Sequence, residues 1–234
     1  MRFSDERGMG LVIALIAITM MMALGGALVL LTSSETLIAA NYRSGTEALY
    51  AADAALERAL VDLRNLPDWN VVLAGLQLST FNDGAPGPRT LPDGTTISLP
   101  GIANMANCRH AAPCSVAALD AVTSDRPWGV NNPRWTLYGH GALANVSGPG
   151  SARSPFYVVM LVADDPSEND GDPARDGDTP GGVANPGYGA IVVRAEAFGP
   201  RRSHRAVEAT IARIVPPPLP PAHPIRVLSW REAQ

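Results

Sequence analysis

The sequence predicts an α+β fold in which a long N-terminal helix, membrane-spanning in its first half, packs on a loop-rich antiparallel β-sheet head. Three observations predict it. Residues 8–34 contain no charged side chain. Apolar residues then recur at helical spacing as far as Leu66. Beyond Pro67 that period gives way to turn signals and to short strand-like runs, two of which alternate. The chain of 234 residues suffices for one sizeable domain and does not demand two cores. A formal net charge of −4, with 17% charged residues, offers no basic footprint for a phosphate backbone, so nucleic acid is not an expected partner.

Residues 1–8 form a short charged leader that ends in Arg7-Gly8. The uncharged stretch that follows, residues 9–34, has an apolar core of 23 residues ending at Leu31. As a helix this core measures about 35 Å, enough to cross a hydrocarbon layer of about 30 Å. It is too long for the h-region of a discarded secretory signal, about 7–15 residues. Arg2, Arg7 and the amino terminus lie before it and the first basic residue after it is Arg43, which predicts a cytoplasmic N-terminus and an exported remainder.

Residues 35–66 continue the helix in amphipathic form. Leu49, Ala52, Leu56, Ala59 and Leu63 are spaced by three and four, with Glu47, Asp53, Glu57, Arg58, Asp62 and Arg64 between them. Pro67 stops it. Gly25-Gly26 and the capping-box pattern Ser44-x-x-Glu47 are the places where it could bend or restart.

The head spans residues 67–215. Asn82-Asp83-Gly84, Pro86-Gly87-Pro88 and Pro92-Asp93-Gly94 mark turns, and residues 95–99 read as a short strand. Strand character returns around Trp135, and the clearest strands are residues 156–162, 190–198 and 205–215, for which an antiparallel meander is the economical topology. Residues 216–234 begin as a stiff proline-rich spacer, after which residues 225–230 could add as a strand to a sheet edge of this or another subunit.

Cys108 and Cys114, with five residues between them, read as a small disulfide loop if the compartment is oxidising. So short a loop contributes no more than about 2–3 kcal/mol. A Cys₂His₂ zinc site drawn with His110 and His140 is the weaker alternative, because His110 lies too close to both cysteines. Residues 164–178 carry seven carboxylates in fifteen positions. Either solvent or a cation must screen them, and calcium is the oxygen-seeking ion most available outside the cytoplasm. Asp170, Asp172, Asp176 and Asp178 are the candidate ligands, although the EF-hand template fails at Ala174 and Arg175. Nothing requires a cofactor. No catalytic template is present and the four histidines do not group, so the chain reads as a non-enzyme.

The leader ending in Arg7-Gly8, the stretch MGLVIALIAITMMMALGGALVLL and the continuation NYRSGTEALYAADAALERAL resemble the class III signal and N-terminal helix of type IV pilins, most closely the PilX-type minor pilins. The resemblance implies that a prepilin peptidase cuts between Gly8 and Met9 and methylates the new Met9 amine. It further implies that the retained helix anchors the subunit in a bacterial inner membrane and packs against other pilin-like subunits. Most major pilins place a glutamate where this chain has Ile13. That departure implies a subunit for the pilus tip or for initiation, since a carboxylate inside a bilayer needs a neutralising neighbour and isoleucine does not. A membrane-anchored, calcium-dependent adhesive head and a minor pseudopilin of type II secretion are the alternatives.

Overall fold

A computed structural model describes residues 7–146, 154–168, 171–177, 187–214 and 224–233. The leader before Arg7 and most of the proline-rich spacer lie outside these. The first element, α1 (Arg7–Arg64), is one α-helix of 58 residues, about 87 Å long at 1.5 Å per residue. Neither Gly25-Gly26 nor Ser44 interrupts it. Each glycine costs a helix only about 1 kcal/mol relative to alanine, and good helix formers flank both. The chain divides into two compact units, residues 1–43 and 44–234.

In the first unit every side chain from Met9 to Ala39 is exposed. The hydroxyls of this stretch are satisfied by the helix itself. Thr19 donates to the Ile16 carbonyl at 2.9 Å, Thr32 to Leu28 at 2.6 Å, Ser33 to Leu30 at 2.9 Å, Ser34 to Leu31 at 2.8 Å and Thr36 to Thr32 at 2.8 Å. A helix that satisfies its own polar groups can enter hydrocarbon without a desolvation penalty for them.

In the second unit the helix buries Ala48, Ala51, Ala52, Ala55, Leu56, Ala59, Leu60 and Leu63. The alanines keep this face flat, so the helix can lie close against a sheet. The predicted end at Leu66 is two residues late: α1 stops at Arg64, and the amides of Asn65 and Leu66 turn back to the carbonyls of Asp62 and Leu63. After Pro67 come the short helix α2 (Asn70–Leu73) and a hairpin of β1 (Pro88–Thr90) and β2 (Thr96–Ser98). Next is α3 (Leu99–Cys108), an element the sequence reading did not anticipate. The hydroxyl of Ser98 caps it by accepting from the Gly101 amide at 3.2 Å. Pro100 falls in the first turn, where its missing N–H is harmless. The short α4 (Val116–Leu119) follows.

The main sheet is the predicted meander. It comprises β3 (Thr136–Ala142), β4 (Tyr157–Asp164), β5 (Ala190–Phe198), β6 (His204–Arg213) and β7 (Ile225–Ala233), all antiparallel and in sequence order, with α5 (Leu143–Val146) after β3. The strand expected after the proline spacer pairs with β6 of its own chain, Ala209 opposite Trp230. Strand β4 is buried along its whole length because both faces of the sheet are covered there. Val158, Met160 and Val162 meet the helix side, while Tyr157, Val159 and Leu161 pack with Leu91, Leu99 and Ile102. On β5 and β6 this second face changes character and carries Arg194, Glu196 and Glu208.

Candidate functional site: an apolar rod and a buried carboxylate cluster

The first unit is a helical rod whose apolar side chains point outward. Met9 is 68% exposed and Ile13 is 62% exposed. So continuous an apolar surface is not left in water by a stable protein, and it marks an interface or a membrane contact. One stretch, beginning at Met9, is long and apolar enough to cross a membrane. Gly8, Met9 and Ile13, the residues singled out for processing and assembly, all lie at its start.

Cys108 and Cys114 form a disulfide, with Cα atoms 6.0 Å apart, that joins the end of α3 to the segment entering α4. With both sulfurs so engaged, the zinc alternative falls. His140 is fully buried on β3, its Nδ1 2.9 Å from Asp83 Oδ1. Asp83 also accepts from the Tyr157 hydroxyl at 2.9 Å and from Arg89 Nε at 3.0 Å. Burial would raise the Asp83 carboxyl, but the donors Arg89, Tyr157 and His140 hold it below its usual range. Burial holds the His140 imidazole below its usual value, outweighing the pull of Asp83 in the other direction. Below pH about 6.5 the unfolded chain therefore takes up a proton that the folded histidine resists. Melting temperature should fall as pH drops from about 6.5 through the lowered folded value of His140, and His140→Gln should flatten that slope.

The acidic run folds into something its sequence did not disclose. Asp164 ends β4, Glu168 sits in the following turn and Asp176 returns from further along the connection. One carboxylate oxygen from each lies within 4.8 Å of the others, and all three residues are buried. Asn70 on α2 accepts the Asp176 amide at 2.8 Å, and Asp176 Oδ1 accepts the Gly189 amide at 2.6 Å. Gly187 packs on the backbone of Glu168 so closely that a Cβ there would sit 2.6 Å from the Glu168 nitrogen, so only glycine fits. Burial, followed by the charges of Glu168 and Asp176, pushes the Asp164 carboxyl up to about 9. Of the four predicted ligands, Asp176 alone is placed in this group. Asp172 is exposed, accepting the Ala174 amide at 3.3 Å, and Asp170 and Asp178 lie outside the described residues. Asp164 and Glu168 were missed as ligands although they belong to the same acidic run. The signal was density of charge, and no spacing rule selects which members of the run converge.

Residues 7–57 match the family model described as PilX N-terminal. No curated protein and no solved structure matches the chain. The match covers the whole apolar stretch and most of the amphipathic continuation, leaving the β-sheet outside it. Over this segment, which family resemblance had singled out and which forms the exposed rod, the chain is similar to the N-terminal part of PilX-type type IV pilins.

Proposed function

We propose that this chain is a minor pilin-like subunit which, once trimmed between Gly8 and Met9 by a prepilin peptidase and methylated on Met9, packs its helix into a type IV pilus assembly or tip-initiation complex. The observation that carries the reading is the PilX N-terminal match over residues 7–57, laid on a helix whose apolar side chains are outward and whose hydroxyls are already satisfied. Such a helix suits both of the environments that pilins occupy, first the lipid of a bacterial inner membrane and then the company of neighbouring helices. Gly25, Gly26, Ala23 and Ala27 allow those neighbours to approach closely. Arg2 and Arg7 favour a cytoplasmic N-terminus and hence a periplasmic head.

Ile13 supports the terminal position. A subunit without a carboxylate there cannot neutralise the amine of the next subunit, so it fits where such a pairing is not made. N-terminal mass spectrometry of protein recovered from membranes should find a methylated Met9 start, and labelled protein should mark fibre ends. Ile13→Glu should shift label into the fibre body or reduce fibre number. Recovery of chains that begin at Met1 from cells with normal fibres would instead favour a plain anchor carrying a binding head. Even labelling along fibres, unmoved by Ile13→Glu, would remove the tip assignment.

A further inference from the structure

The trio Asp164, Glu168 and Asp176 stands apart from the assembly helix and is considered on its own geometry. Three carboxyl groups that approach within 4.8 Å in a buried setting cannot all ionise without strong mutual repulsion, because little solvent screens them. A second observation points to what they hold. Asp164 is only 4% exposed, yet its Oδ1 has no hydrogen-bond partner among the described residues. A buried carboxylate oxygen without a donor is costly, and this one belongs to a side chain directed among two further carboxylates. The guanidinium of Arg213 feels Asp176, but it donates to the carbonyls of Leu66 and Pro67 and lies over the Trp69 ring.

We propose that Asp164, Glu168 and Asp176 bind a calcium ion that ties the end of β4 to the connection leading into β5. The donor set is all oxygen, which disfavours zinc. Three carboxylates supply up to six oxygens on an irregular backbone, which suits calcium's flexible shell of six to eight ligands better than the strict octahedron of magnesium. The ion pairs the orphaned Asp164 oxygen and relieves the mutual repulsion together. Asp176 is held in place for it by Asn70 and Gly189, and Gly187 lets the chain pass close behind Glu168.

The test uses the purified full chain in detergent, stripped with a chelator and titrated with calcium chloride at neutral pH. Calorimetry should show saturable binding of one ion per chain, and the melting temperature should rise with calcium. Asp164→Asn and Glu168→Gln should each weaken binding at least about tenfold, the loss seen even for outer-shell partners of a metal. Asp172→Asn, outside the trio, should bind as the parent does. Both variants are near-isosteric and add no charge to the trio, so they should fold, and the parent titration decides the matter if either does not. Absence of saturable heat and of any melting shift in the parent overturns the proposal, as does undiminished binding by either variant. Equal response to magnesium overturns the choice of calcium. Loss of binding would leave the pilin reading untouched, since that reading rests on residues 7–57.

Discussion

Arg194→Met should destabilise the head by about 3–5 kcal/mol, the range expected when one member of a buried ionic network is removed. Arg194 and Glu208 face each other across β5 and β6, and Glu208 in turn faces Arg231 on β7. Arg194 Nη1 donates to Glu208 Oε1 at 2.6 Å and its Nε to Glu196 Oε1 at 2.7 Å. The second oxygens of these carboxylates are also engaged, Glu208 Oε2 by Arg231 and Glu196 Oε2 by His204 Nε2 at 2.8 Å. The three central side chains are 12%, 6% and 8% exposed, so this is no surface pair worth a few tenths of a kcal/mol. Burial alone would raise the Glu196 carboxyl, but His204 and Arg194 hold it below the usual range, so it stays charged. Methionine fills the space of the arginine stem and leaves Glu196 and Glu208 with part of their compensation gone. Urea unfolding measures the loss. Adding Glu196→Gln and Glu208→Gln to Arg194→Met should recover most of it, because the penalty comes from stranded charge rather than from lost volume. A single-variant loss below about 1 kcal/mol would show that water reaches the network and screens it.

How much of this was legible in the sequence depends on the range of the interaction that decides each feature. The amphipathic half of α1 was readable because its pattern repeats every turn: Ala52, Leu56, Ala59 and Leu63 are the buried face. The meander was readable for the same reason, since alternation along residues 190–198 and 205–213 reports two faces wherever the chain goes. Helix α3 was hidden because a Pro-Gly pair is as a rule a turn signal, whereas here Pro100 and Gly101 stand in a first helical turn that the Ser98 hydroxyl caps by accepting from the Gly101 amide. The carboxylate trio was hidden more deeply. Asp176 is held there by Asn70, 106 positions earlier in the chain. The pairing of His140 with Asp83 likewise spans 57 positions, and no local pattern announces it.

Trp69→Ala should cost about 3–5 kcal/mol, the range for emptying a large aromatic site in a core. For a unit of this size that amounts to a fall of roughly 6–20 °C in melting temperature. Trp69 is 1% exposed and follows the bend at Pro67, so its ring closes the end of α1 against the sheet. Two further links depend on it. Its indole Nε1 donates to the Leu63 carbonyl at 3.1 Å, a second donor to an acceptor at the helix C-terminus that the Leu66 amide also reaches at 3.2 Å. Its face carries the Arg213 guanidinium 4.3 Å above the ring centre, and that same guanidinium donates to the Leu66 carbonyl at 3.3 Å and to the Pro67 carbonyl. The contributions can be separated. Trp69→Phe keeps much of the apolar volume but loses the indole hydrogen bond and should cost about 0.5–1.5 kcal/mol, the net worth of one hydrogen bond, since the Leu66 amide still donates to the Leu63 carbonyl. Arg213→Ala should lose the cation–ring attraction, and its double-mutant cycle with Trp69→Ala should return a coupling of about 0.5–2 kcal/mol. If Trp69→Phe costs as much as Trp69→Ala, the hydrogen bond rather than the filled volume holds this end of the helix. If the cycle returns no coupling, Arg213 anchors the bend through the two carbonyls alone. Either result would change which atoms are taken to join the end of the helix to β6.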